Sequence, residues 1–129
     1  MLAIDTNLIV RYLTGDHPKQ SAQARQLIDN EDTFVCTTVL LEAEWVLRSA
    51  YGFAPAQLLT ALRAFAGLPR VTIEDAGIAA QALSWAESGM DFAAALHLAK
   101  ARSCAAFVSF DQHLVRAANR LNTVKARVP

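Results

Sequence analysis

Residues 1–13 read MLAIDTNLIVRYL. An apolar run, Leu2, Ala3 and Ile4, ends abruptly at Asp5-Thr6-Asn7, and beyond it Leu8, Ile9, Tyr12 and Leu13 recur at helical spacing. The chain therefore changes from a strand period to a helix period just past Asn7, leaving a carboxylate at the end of a strand expected to be buried. In an open α/β sheet such strand-to-helix junctions are where ligands bind. Asp5 is thus a candidate functional acid, with Thr6 and Asn7 lining its surroundings. The plain structural reading is that Thr6 or Asn7 caps the new helix.

Outward from this stretch, strands and helices alternate. Pro18 opens a helix to about Asp29 after the turn Gly15-Asp16-His17, and Thr33–Cys36 is a short strand. Thr37 or Thr38 offers a cap for a helix from Val39 to about Tyr51, whose stripe is Val39, Leu40, Ala43, Val46, Leu47 and Ala50. On that helix Glu42 lies at the margin of the apolar stripe, whereas Glu44 reads as a solvated charge. A helix from Ala54-Pro55 to Ala66 and a strand from Arg70 to Ile73 follow, and then a helix whose first turn Glu74 and Asp75 suit electrostatically. Asp91 opens the next helix. Cys104–Ser109 reads as a central strand, and Ser109-Phe110-Asp111 repeats the opening pattern, an apolar run ending at an acid before a helix, here Gln112 to Leu121. Thr123–Lys125 is a candidate edge strand. The alternation predicts a single α/β domain over residues 1–129, with a central, mostly parallel sheet of four to five short strands and helices on both faces.

Composition bounds the function. The 129 residues are enough to bury about two-thirds of the unfolded surface without disulfide or metal staples. Hydrophobic residues make up 53% and charged residues 19%, which excludes a disordered chain and leaves room for an apolar patch that a partner covers. Such a patch predicts a homodimer or a heterologous complex through alanine- and leucine-rich helical surface. Twelve basic and twelve acidic residues cancel, so no global field announces a nucleic acid or a membrane. Beyond Asp111, however, the chain carries Arg116, Arg120, Lys125 and Arg127 and no acid, and Arg116 and Arg120 are candidate RNA contacts. Cys36 and Cys104 stand in apolar surroundings and read as buried free thiols. With no long apolar run and no leader pattern, a cytoplasmic location is expected.

Four acids stand out: Asp5, Glu42, Asp91 and Asp111. Each has an ordinary explanation as a cap, a turn former or a helix acid. Parallel strands place their carboxyl ends on one edge, so Asp5 and Asp111 are expected to share it, with Asp91 at a helix start nearby. Gathered carboxylates repel one another unless a cation neutralises them, and oxygen ligands without cysteine or histidine favour Mg²⁺, with Mn²⁺ as its common substitute. Asp5, Asp91 and Asp111 are the expected metal ligands. A site of this kind hydrolyses phosphodiesters. His17 falls in a turn, and His97 and His113 sit in helices as structural residues. No phosphate-binding glycine loop or nucleophile elbow is present.

The segments AIDTNLIVRYL, TTVLLEAEWVLRSAYGF, GMDFAAALHLAKA and FVSFDQHLVR resemble, in order and over nearly the whole chain, the successive signatures of PIN-domain ribonucleases, specifically the VapC-type toxins of bacterial toxin–antitoxin pairs. The resemblance implies a Mg²⁺- or Mn²⁺-dependent endoribonuclease neutralised by a VapB-type antitoxin, with Asp5, Glu42 and Asp111 at three of the family's four acidic positions. At the fourth, relatives read like DFADAL, and here the acid is replaced by Ala94. Either Asp91, three residues earlier on the same helix face, compensates, or the chain is catalytically impaired. Two other classes compete. One is a small-molecule phosphohydrolase with an aspartyl nucleophile, which calls for Asp-x-Asp where this chain has Asn7; the other is a non-catalytic PIN-fold binding module.

Overall fold

The computed structural model describes residues 1–129, and its elements follow the expected alternation: β1 (Leu2–Ala3), α1 (Thr6–Thr14), α2 (Pro18–Asn30), β2 (Thr33–Val35), α3 (Thr37–Ser49), α4 (Pro55–Ala66), β3 (Val71–Ile73), α5 (Ala76–Glu87), α6 (Phe92–Lys100), β4 (Phe107–Val108), α7 (Gln112–Arg120) and β5 (Ala126–Arg127). Every strand pairing is parallel. The class is α/β, with seven helices and short parallel strands. The chain divides into two compact units, Met1–Ala76 and Gly77–Pro129.

In the first unit the strand order is β1-β2-β3, with Leu2 opposite Thr33 and Thr33 opposite Val71. The central strand is fully covered at Thr33 and Val35. The edge strand β1 is not: Leu2 and Ala3 are exposed and burial begins at Ile4, so the expectation of a buried first strand fails at its first two residues. Helices α1 to α4 bury Ile9, Ile28, Leu40, Leu47, Leu58, Leu62 and Phe65. At about 25 cal/mol per Å² of apolar surface, each such side chain contributes roughly 2 kcal/mol. Gly15 ends α1 in the left-handed conformation, φ 66°, which a side chain would strain, and turns the chain into α2.

Several local expectations are corrected here. The residue capping α1 is Asp5, whose Oδ1 accepts the Thr6 N–H at 2.8 Å, not Thr6 or Asn7. Cys36, the residue before helix α3, gives it no side-chain cap. The Thr37 N–H donates instead to Glu74 Oε1 at 2.8 Å, so Glu74 serves α3 and not the first turn of α5, which holds no acid. The buried stripe of α3 is Leu40, Ala43, Glu44 and Leu47. Glu44 is therefore buried rather than solvated, because it follows Leu40 by one turn on the core-facing side, and Arg48 pairs with it at 2.9 Å. Glu42, 200° around the helix from Leu40 at ~100° per residue, is exposed.

In the second unit α5 buries Ala79, Ala82, Leu83 and Ala86, and α6 buries Phe92, Ala94, Ala95, Leu96, Leu98 and Ala99. Small alanine side chains let helices approach closely, at the cost of little apolar area per residue. The strand expected over Cys104–Ser109 is only Phe107–Val108, half-exposed, paired with β5 alone and not central. The last strand lies at Ala126–Arg127 instead of Thr123–Lys125. The Asn119 side chain sets that position: its Nδ2 donates to Ala126 O at 3.0 Å and its Oδ1 accepts the Ala126 N–H at 3.1 Å, as a neighbouring strand would. Cys104 is exposed and Cys36 half-buried, so neither is the enclosed thiol expected. Hydrogen bonds from Thr38 and the Val39 backbone pull the Cys36 thiol below its usual range. No helix is long and apolar enough to cross a membrane.

Candidate functional site

The first unit places two of the four acids around one hollow of about 290 Å³, lined by Asp5, Thr6, Asn7, Val10, Arg11, Glu42, Val46 and Tyr51. Asp5 arrives at the end of β1 because the strand stops two residues earlier and the first helical turn needs an acceptor. Its capping bond uses Oδ1 alone, which leaves the other oxygen uncommitted. Glu42 comes from α3. Thr6, itself buried, donates its hydroxyl to Glu42 Oε1 at 2.5 Å, fixing an otherwise exposed carboxylate against the start of α1.

Arg11 and Tyr51 were not singled out by sequence, yet both line this hollow. Arg11 lies one turn beyond Asn7 and is clasped by three partners. Its Nη1 donates to Asp16 Oδ1 at 3.1 Å and to the Tyr51 hydroxyl at 3.0 Å, and its Nε donates to Gln20 Oε1 at 2.8 Å. Tyr51 in turn donates to Asp16 Oδ2 at 2.6 Å. The Tyr51 and Thr14 hydroxyls, helped by the Arg11 charge, hold the Asp16 carboxyl below its ordinary range. The i, i+4 spacing of Asn7 and Arg11 was the only available signal; Tyr51 could be found only by folding.

The second unit places the other two acids together. Asp91, Ala94, His97, Asp111, His113 and Leu114 are among the residues around a hollow of about 230 Å³. Both acids are helix caps: Asp91 Oδ2 accepts the Ala94 N–H at 3.1 Å and Asp111 Oδ1 accepts the Leu114 N–H at 3.1 Å. Each again spends one oxygen. Ser109 stands behind Asp111, its Oγ accepting the Asp111 N–H at 3.0 Å. His97 and His113, read from the sequence as structural residues of their helices, are exposed on the rim of this hollow. Arg116 and Arg120 follow His113 along one exposed face of α7.

Within neither unit are three acid, histidine or cysteine side chains gathered tightly enough to enclose an ion by themselves. The donor set still fits Mg²⁺ or Mn²⁺. Each hollow offers two solvent-facing carboxylates, and Mg²⁺ keeps several waters while binding through one or two carboxylates and a substrate phosphate. Chemically, each hollow taken by itself can bind a hydrated hard cation together with a phosphoryl oxygen.

Among known protein families, the PIN domain matches residues 2–120 of the chain. No curated protein sequence matches the chain.

Proposed function

Because the chain belongs to the PIN-domain family, whose members are generally nucleases using divalent metal ions, we propose that it is an endoribonuclease dependent on Mg²⁺ or Mn²⁺. The carboxylates of Asp5 and Glu42 in the first unit and of Asp91 and Asp111 in the second are its catalytic groups, with Asp5, Asp91 and Asp111 as metal ligands. One observation carries this reading. Three helices are capped by aspartate, at Asp5, Asp91 and Asp111, and each cap bond engages a single oxygen. Asparagine or serine would cap as well, so the negative charge is surplus to capping and free for a cation.

When bound, the metal supplies an activated water and offsets charge building on the phosphoryl oxygens. The chain's own residues prepare that chemistry. Capping bonds fix the rotamers of Asp5, Asp91 and Asp111, and Thr6 holds Glu42 ready to orient a water. Asp91 stands in only in part for the acid missing at Ala94: the two residues line the same hollow, and Asp91 keeps one oxygen free. Arg116 and Arg120 meet the phosphates of the RNA strand.

The finer assignment rests on the four sequence signatures. They favour a VapC-type toxin of a type II toxin–antitoxin pair, acting in the cytoplasm as a homodimer and neutralised by a VapB-type antitoxin. Exposed Trp45 in the first unit and, separately, exposed Val108 and Phe110 in the second support surfaces that a protein partner covers. Incubating the purified protein with structured RNA and Mg²⁺ or Mn²⁺ tests the activity. Discrete cuts abolished by chelator are expected; RNA bound but never cut would leave the non-catalytic module.

A further inference from the structure

We propose that the hollow between α1 and α2 is a nucleotide subsite, seating one unpaired base of the RNA strand while Arg11 holds the adjoining phosphate at the edge of the Asp5–Glu42 hollow. This rests on the nuclease reading above and extends it to substrate recognition. The α1–α2 hollow measures about 390 Å³, and its walls include Leu8, Ala24 and Leu27 on the apolar side and Gln20 and Gln23 on the polar side. Asn7 and Arg11 line both this hollow and the one holding Asp5 and Glu42. The two recesses therefore share a wall, and the guanidinium stands on it.

The lining chemistry selects the occupant. An apolar floor covers the face of a base, and side-chain amides read the edge that pairing would otherwise hide. Gln20 has its Oε1 engaged by Arg11, which leaves its amide N–H groups to donate. Arg11 spends Nε and Nη1 on Gln20, Asp16 and Tyr51, and its Nη2 makes no hydrogen bond within the chain. A guanidinium already held in place loses little freedom on meeting a phosphate, and its planar fork suits that geometry. Base in one recess and phosphate on the shared wall is the order in which a single strand presents them.

The test measures binding of a labelled single-stranded RNA oligonucleotide by fluorescence anisotropy, in EDTA so that nothing is cut, between ~50 and ~200 mM salt. Arg11→Gln should weaken binding about tenfold and reduce the salt slope by about 0.7, the value of one single-strand phosphate contact. Asp16→Asn removes the competing anion, so its affinity should equal or exceed that of wild type even though it loosens the same clasp. Gln23→Ala should leave the salt slope alone and change the preference among four homopolymeric oligonucleotides. Equal losses in Arg11→Gln and Asp16→Asn, tracking their thermal midpoints, would reduce the clasp to a structural brace and overturn the proposal. So would unchanged affinity in Arg11→Gln with a wild type that binds and cuts, an outcome that leaves the nuclease reading standing. A Leu27→Arg variant that changes sedimentation but not RNA affinity would assign the hollow to a second copy of the chain. A wild type that neither binds nor cuts RNA would overturn both readings.

Discussion

The two acid-lined hollows solve the same problem with different materials. Around Asp5 and Glu42, side chains from α1, α3 and the following turns are tied to one another: Thr6 to Glu42, Arg11 to Asp16, Tyr51 to both members of that pair. Around Asp91 and Asp111 the ties run to backbone N–H groups, and the remaining wall is alanine, leucine, methionine and exposed histidine. The first arrangement fixes geometry through side-chain networks, which a single substitution can unravel. The second fixes it through helix capping, which tolerates any good capping residue. The contrast also dissolves an apparent choice between a structural and a functional aspartate, because a cap consumes one oxygen and a ligand needs only the other.

Substitutions that remove charge but keep the cap test this contrast most severely. Asp5→Asn and Asp91→Asn should each lower Mn²⁺-supported cleavage by about 100-fold or more, a loss typical of removing a principal electrostatic group, while the thermal midpoint stays nearly constant. Normal cleavage by Asp91→Asn would mean that the second hollow serves only helix capping. Next in size is Ala94→Asp. A third carboxylate in that hollow should tighten Mn²⁺ about tenfold and raise cleavage, with little gain in stability until metal arrives. Titration of both forms decides it, and equal values would show that Asp91 already fills the role.

Thr6→Val keeps shape and removes the hydroxyl that holds Glu42. It should cost several-fold to tenfold in cleavage at saturating metal, and about 1 kcal/mol in chemical denaturation; unchanged turnover would show that Glu42 needs no tether. The smallest effect concerns Asp16, whose carboxyl is held below its ordinary range. A depressed folded-state value contributes stability above the unfolded value near 3.8 and loses it as pH falls through the folded one. The thermal midpoint of wild type should therefore exceed that of Asp16→Asn at pH 7, and the difference should shrink below about pH 4. A gap that persists at pH 2 would assign the effect to packing.

What the sequence made legible follows the range of the forces involved. Helices such as Pro55–Ala66 announce themselves through Leu58, Leu59, Leu62 and Phe65, all of them buried, because periodicity is a local signal. The aspartates before helices were legible for the same reason. Glu42 and Glu44 changed places in exposure because only the packing of α3 against its neighbours decides which side of a two-sided stripe faces inward. Arg11 and Tyr51 are brought together across forty positions by α1 and α3, and no spacing rule reaches that far. The edge of β5 escaped because a side chain, Asn119, defines it.

That last feature governs how the end of the chain behaves. A two-residue parallel pairing offers too few ladder bonds to stay closed alone, and such ends ordinarily fray. The Asn119 amide holds both the N–H and the carbonyl of Ala126, and the Phe107 and Ser109 N–H groups bond to the carbonyls of Lys125 and Arg127. Opening this terminus therefore requires α7 to release its grip as well as β4. The Ala126 amide proton should exchange with solvent at the pace of that helix, leaving Val128 as the terminal amide free to exchange fast.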